Sequence, residues 1–124
     1  MKRAVLRAAR FVPEGRVTTA AEIGRALNIP ARHVAYILAM LTEEERQAAP
    51  AHRVVPKDGK FGKPDGLSLK AAAAVLALAS EGVSVDPRGV VSDFKGRYQA
   101  LPNTYSSTRW DDEAALGALE FFGD

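Results

Sequence analysis

The chain reads as a mainly α fold that carries a helix-turn-helix and a few short β elements. Apolar residues recur at helical spacing through Ala4–Val12, and Leu69–Ser80 is rich in alanine and leucine. Between them, Thr19 with Glu22 three residues later forms a capping signature, followed by Asn28 and Pro30 as stop and restart signals.

Each element follows from local chemistry. In the first helix Val5, Leu6, Ala9 and Val12 share one side, and Arg3, Arg7 and Arg10 the other. Pro13-Glu14-Gly15 breaks it and makes a turn. The second helix runs from about Ala20 to Leu27 and stops at Asn28, a residue that tolerates left-handed geometry. Pro30 fits the first turn of a third helix reaching about Leu41, with Val34, Ile37, Leu38 and Leu41 on its apolar face. Short helices joined by so few residues make a helix-turn-helix pattern. The acidic stretch Thr42–Gln47 either extends the third helix or opens a new turn. Pro50–Pro56 is a short segment bounded by proline. Lys57-Asp58-Gly59-Lys60 reads as a turn, a tight hairpin turn being one option, and Phe61–Leu67 as a Gly- and Pro-containing loop. Residues 83–91 and 93–98 alternate weakly, as extended segments do. Ala114–Phe122 has the pattern of a short amphipathic helix, and no internal repeat is present.

Composition narrows the function classes. A chain of 124 residues is one domain by size and buries roughly two-thirds of its unfolded surface. With 47% hydrophobic and 26% charged residues it is an ordinary globular sequence. The absence of cysteine excludes disulfides, thiolate metal sites and a thiolate nucleophile. His33 and His52 are too few and too far apart in sequence to suggest zinc, so no metal or cofactor is expected. No apolar run approaches the roughly 20 residues of a membrane span, and Met1–Phe11 lacks the apolar core of a signal peptide. A cytoplasmic monomer with no membrane partner is the expectation. The net charge of +2 hides an asymmetry: residues 1–63 hold 12 Lys and Arg against 6 Asp and Glu, and residues 64–124 hold 5 against 9. The first half either faces a polyanion or presents a solvated basic face, and charge alone does not choose.

A set of motifs does choose. In order, they are Val12-Pro13-Glu14-Gly15-Arg16-Val17-Thr18-Thr19, Ala21-Glu22-Ile23-Gly24, Ala31-Arg32-His33-Val34, Pro50-Ala51-His52-Arg53-Val54-Val55, the Asp58-Gly59-Lys60 turn, Gly66-Leu67 with Lys70, and Glu81-Gly82-Val83. Each is weak alone; the ordered set resembles the O6-alkylguanine-DNA alkyltransferases over about residues 1–85. That family carries a Pro-Cys-His-Arg-Val segment whose cysteine accepts the alkyl group. Here Ala51 stands at the cysteine, and a methyl side chain has no lone pair to attack an alkyl carbon. The chain therefore resembles the alkyltransferase-like branch of the family.

The resemblance implies a winged helix-turn-helix-like alkyltransferase C-terminal DNA-binding domain at 1–85, with 86–124 as a C-terminal extension packed on or beside it. It also implies roles. Arg32 matches the arginine that fills the hole left by an extruded guanine, a task suited to a planar cation; otherwise it is a solvated arginine at a helix start. Thr19, Ala20, Ala31, Ala35 and Tyr36 belong to the same DNA-facing surface. Small residues at 31 and 35 let a helix approach sugar edges, and Tyr36 either wedges against the groove or packs inward. Lys60 and Lys63 are placed to clamp a phosphate. The extruded base is expected between Pro50–Val55 and the Phe61–Gly66 loop, giving a lesion pocket of Pro50, Ala51, His52, Val54, Val55, Gly62, Pro64 and Gly66. With no cysteine to deprotonate, His52 and Glu81 read as a structural network with Arg53, which braces the segment through backbone carbonyls.

Some positions depart from the family pattern. Ala20 replaces a tyrosine that crowds the target's 3′ phosphate. The link Met40–Ala49 is about two residues longer and lacks an Asn-Pro hinge, and the lid loop Phe61–Gly66 is about one residue shorter, with Pro64 near a small polar position. Phe94, Lys95, Arg97 and Tyr98 either border the lesion pocket or form a packed extension. Trp110–Asp124 joins an apolar set (Leu116, Leu119, Phe121, Phe122) to an acidic face, to cover the domain's own surface or dock on a partner. The leading expectation is a non-enzymatic sensor of O6-alkylguanine in double-stranded DNA, acting by minor-groove docking and nucleotide flipping and handing lesions to nucleotide excision repair proteins. The alternative is a helix-turn-helix regulator without lesion recognition. An enzyme using His52 and Glu81 on a water is the remote third, because no nucleophile, metal ligands or oxyanion donors gather around them.

Overall fold

The computed structural model describes residues 1–102, so the helix expected over Ala114–Phe122 lies outside the described residues. The first helix, α1 (Lys2–Phe11), buries Val5, Leu6, Ala8 and Ala9 and ends as Val12 turns extended. Gly15, at φ +87, makes the turn that follows, where a side chain would be strained.

The chain then enters β1 (Thr18–Thr19), which pairs in parallel with β2 (Val54–Val55), Thr18 opposite Val54 and Thr19 opposite Val55. Val17 joins the same strand to a later segment: its N–H donates to the Arg97 carbonyl at 2.9 Å, and its own carbonyl accepts from the Gln99 N–H at 2.7 Å.

Thr19 caps α2 (Ala20–Leu27) by accepting the Glu22 N–H at 3.2 Å. The reciprocal half of the expected capping box does not form. The Glu22 carboxylate turns instead to Arg25 and to the Leu101 N–H, because a guanidinium is the stronger partner for an anion. A reciprocal box forms where the sequence reading left a choice: Thr42 and Glu45 cap each other at 3.1 and 2.9 Å, starting a separate helix α4 (Glu43–Ala48).

Between α2 and α3 (Ala31–Ala39), Asn28 adopts the left-handed conformation at φ 60, ψ 47. The packing at this corner is close: a Cβ on Gly24 would sit 2.5 Å from the Ile29 carbonyl oxygen. Pro30 is the residue before α3 rather than part of its first turn, and the helix stops at Ala39, short of Leu41. Its last carbonyls are held by cations from elsewhere. Arg46 donates to the Leu38 oxygen at 2.9 Å, and Lys70 to the Ala39 oxygen at 3.0 Å; cations suit the negative end of a helix.

The remainder is short elements. A 3-10 turn at Ala51–Arg53 leads into β2. The turn at Lys57–Gly59 places Asp58 at φ 60 and Gly59 at φ 70, but it closes no hairpin; Lys60 bridges antiparallel to Val90. After a turn at Pro64–Gly66 comes α5 (Leu69–Ser80), capped by Ser68, whose hydroxyl accepts the Ala71 N–H at 3.1 Å. Extended pairing beyond it is limited, among the described residues, to the isolated bridges Val85–Val91, Lys60–Val90 and Val17–Tyr98. Residues 93–98 were expected to be extended; instead Phe94–Arg97 form the single-turn helix α6, initiated by Asp93 at φ 53.

Packing joins the whole described length. One core cluster gathers Val5, Ala8, Val12, Ile23, Ala26, Val34 and Ile37 from α1–α3 with Leu101 from the far end. A second joins Val17, Val55, Leu78, Val83 and Val91, and a third joins Leu6, Leu41, Ala49 and Ala51. Among the described residues no helix is long and apolar enough to cross a membrane.

Candidate nucleic-acid interface

The start of α3 projects from the domain. Ala31, Arg32, His33, Ala35 and Tyr36 are exposed, and Tyr36 retains 64% of its surface, so it points outward rather than packing inward. Met40, just past the end of the helix, is 66% exposed. Within α3 only Val34 and Ile37 are buried, so the rest of its surface is open to a partner.

Beside it lies an open cleft of about 760 Å³. Thr19, Ala20 and Ala21 at the start of α2 form one wall, with Ala31, Arg32 and Ala35 of α3. The opposite side is Val55–Asp58 and the α6 region, through Phe94, Lys95 and Tyr98. Small side chains on the helices leave the room; a larger residue at 20 would occupy it. Phe94 and Tyr98 meet edge to face with centroids 5.5 Å apart, giving an aromatic surface. Arg32, Lys57 and Lys95 put cations around the opening, with Asp58 the one acid among its lining side chains in the described residues.

The α6 wall is held by arginine side chains that donate to backbone carbonyls. Arg16 donates to the Gly96 carbonyl at 3.1 Å and Arg97 to the Gly15 carbonyl at 3.0 Å, tying α6 to the turn before β1. Further along, Glu22 and Arg25 of α2 clasp Leu101, the carboxylate accepting its N–H at 2.7 Å and the guanidinium donating to its carbonyl at 2.6 Å. Burial pulls the Glu22 carboxyl upward, but its hydrogen bonds from Arg25 and Leu101 outweigh that and hold it below the ordinary value. Burial pushes the Tyr98 phenol up.

The residues expected from sequence fall into separate groups. Thr19, Ala20, Ala31, Arg32 and Ala35 share the cleft, and Tyr36 stands next to it. Lys60 and Lys63 are exposed but off the cleft wall. Of the expected lesion-pocket residues, Val55 lines the cleft; Pro50, Ala51, His52, Val54, Gly62, Pro64 and Gly66 do not. Ala51 is 6% exposed and packs against Leu6, Leu41 and Ala49, because a methyl group fits an apolar cluster. Gly62, Pro64 and Gly66 lie exposed along the loop.

His52, Arg53 and Glu81 form a compact network. His52 Nε2 lies 2.8 Å from Glu81 Oε2, Arg53 binds both carboxylate oxygens, and Arg53 Nη1 reaches the Val12 carbonyl at 2.9 Å. Burial raises the Glu81 carboxyl, yet the hydrogen bonds from Arg53 and His52 prevail and leave it below its ordinary value. The sequence-derived site omitted Ala21, Pro56, Lys57 and Asp58, and placed Phe94, Lys95 and Tyr98 only as an option. The aromatic and basic alternation of 94–98 was the signal; the contact with α2 and α3 depends on the fold.

The family model described as 6-O-methylguanine DNA methyltransferase, DNA-binding domain, matches residues 1–83. Among solved structures, the chain is similar to S. pombe Atl1, whose crystal structure is a complex with damaged DNA containing O6-carboxymethylguanine. The two are 27% identical with a TM-score of 0.66, over 81% of this chain and 94% of that one. No curated protein sequence matches significantly.

Proposed function

Given that the chain belongs to the family of the 6-O-methylguanine DNA methyltransferase DNA-binding domain, we propose that it is an alkyltransferase-like binder of O6-alkylguanine lesions in duplex DNA, without transfer chemistry. Ala51 stands where a nucleophile is needed, and the sequence contains no cysteine anywhere. The likeness to Atl1, whose structure holds an O6-carboxymethylguanine lesion, supports the ligand class.

The observation that carries the proposal is the cleft beside Arg32. A base turned out of the duplex leaves a gap in the stack that a guanidinium on an exposed helix start can fill. The base itself needs an apolar, partly aromatic recess within reach of that gap, rimmed by cations for the flanking phosphates. In this reading Thr19–Ala21, Val55–Asp58, Phe94, Lys95 and Tyr98 supply that recess. Lesion preference then follows from energetics: a guanine whose pairing is already impaired costs less of the few kcal/mol required to unstack it.

Binding without transfer leaves the lesion in place. In this reading the bound complex marks the site, and nucleotide excision repair proteins remove it. The competing reading, a regulator indifferent to lesions, is favoured by one observation: Ala51 is 6% exposed and packs against Leu6, Leu41 and Ala49, so little of the missing cysteine's position is open to a ligand.

Equilibrium binding to matched duplexes separates the two. With guanine, O6-methylguanine or O6-carboxymethylguanine at one position and salt held constant, tighter binding to the modified duplexes supports the sensor. Equal, steeply salt-dependent binding to all of them overturns it in favour of the regulator.

A further inference from the structure

The cleft has a second candidate occupant within the chain itself. Over residues 1–102 the sequence carries a net charge of +6, and over 103–124 a net charge of −4, which together make the overall +2. The acids beyond Pro102 are Asp111, Asp112, Glu113, Glu120 and Asp124, against Arg109 alone. They are interleaved with Trp110, Leu116, Leu119, Phe121 and Phe122. An apolar set joined to acids is the complement of a cleft with small apolar walls and a rim of Arg32, Lys57 and Lys95.

Where the chain leaves the described residues strengthens the match. Tyr98 lines the cleft, and Leu101 is clasped at both backbone groups by Glu22 and Arg25 of the same helix that forms one cleft wall. The described chain therefore ends against α2, four residues beyond Tyr98 on the cleft wall. The residues from 103 to 110 span at most about 25–30 Å when extended, ample to bring Asp111 to the rim. Tethering over so short a distance gives an effective concentration of order mM. Even weak docking is then competitive with non-specific DNA binding, whose Kd is typically about 10⁻⁴–10⁻⁶ M.

We infer that Trp110–Asp124 docks in this cleft and acts as an intramolecular competitor of DNA. Asp111, Asp112 and Glu113 pair with the cationic rim, and the apolar residues of the segment cover the apolar walls. The segment suppresses binding to undamaged duplex and is displaced by a target that fills the cleft. This rests on the reading that the cleft faces DNA, but not on lesion recognition.

Trp110 is the only tryptophan in the chain, so its emission reports the segment directly. The test uses the full chain, the variant Asp111→Asn/Asp112→Asn/Glu113→Gln, and a control of equal charge change, Glu14→Gln/Glu43→Gln/Glu44→Gln. In the unaltered protein Trp110 emission should be blue-shifted, moving to the red on addition of undamaged duplex or of the first set of substitutions. The first variant should bind undamaged duplex about tenfold more tightly than the control does at low salt, with the gap closing as salt screens the pairing. Lys95→Glu should also release Trp110. Equal gains in both triple variants would reduce the effect to net charge and overturn the inference. A water-like emission unmoved by DNA would do the same, as would a buried Trp110 that ignores Lys95→Glu, which would place the segment elsewhere. Lesion preference is read separately, from the ratio of modified to unmodified duplex, so its absence would sink the sensor reading while leaving this result standing.

Discussion

Arg53 meets Glu81 edge to edge, its Nε 3.0 Å from Oε1 and its Nη2 2.7 Å from Oε2, with both side chains mostly buried. The pair links the segment holding Ala51 to the end of α5, and the third Arg53 contact reaches back to α1 through the Val12 carbonyl. Removing one partner leaves the other charge buried and unpaired. Glu81→Ala should therefore destabilise the fold by about 3 kcal/mol, the low end for breaking a buried pair, because some solvent access remains. Denaturant unfolding measures this, and a change below about 0.5 kcal/mol would show that the network is dispensable.

Acid should weaken the same network. The Glu81 and Glu22 carboxyls lie below the ordinary value of 4.5 in the folded protein. A depressed folded-state value means that the unfolded chain binds protons more readily. The stability these groups contribute is thus fully present above about pH 4.5 and is lost as pH falls through the folded-state values. Thermal midpoints should hold steady down to that region and fall below it, with a shallower fall in Glu81→Gln. A midpoint that rises on acidification would contradict the assignment.

Gly24→Ala sets two effects against each other. Alanine in a helix interior gains about 1 kcal/mol over glycine. Its Cβ, however, would lie 2.5 Å from the Ile29 oxygen and 3.3 Å from the Ala31 nitrogen, both backbone atoms. Crowding of that kind costs about 1–3 kcal/mol, so net destabilisation is expected, along with weaker DNA binding as the start of α3 shifts. A stabilised variant would show that the corner relaxes freely.

Arg32 and Lys63 should fail in different ways. Arg32→Ala should lower affinity for the modified duplex about tenfold, or 1.4 kcal/mol, while changing the unmodified duplex less. Lys63→Ala should weaken both alike and reduce the salt slope by about one. Identical effects of the two substitutions on lesion preference would remove Arg32 from its assigned role.

Restoring the nucleophile should not restore the chemistry. A thiol in Ala51→Cys would face Leu6, Leu41 and Ala49, and burial among apolar groups raises a thiol's pKa and keeps it inert. Intact-mass measurement after incubation with O6-methylguanine duplex should show no added methyl group. A gain of one methyl would mean that the segment opens on binding DNA.

Much of this was legible in the residues. Helical spacing in α1, the Asn28 stop of α2 and the composition of α5 are short-range effects, decided by neighbours along the chain. The motif order from Val12 to Val83 carried the family, and Ala51 the loss of the nucleophile. Other features required distant partners. Whether Glu22 completed a cap or clasped Leu101 depended on which donors the fold brought to its carboxylate, and the Arg25 guanidinium is a stronger donor than a neutral N–H. Whether 93–98 ran extended or turned depended on Asp93 adopting the left-handed region and on Arg16 and Arg97 tying the segment to the turn at Gly15. The cleft was the least legible, since its walls come from α2, α3, the turn after β2 and α6. Spacing along a chain does not encode the empty volume between such elements; only their packing does, because small residues at 20, 21, 31 and 35 make a recess only when something larger stands opposite.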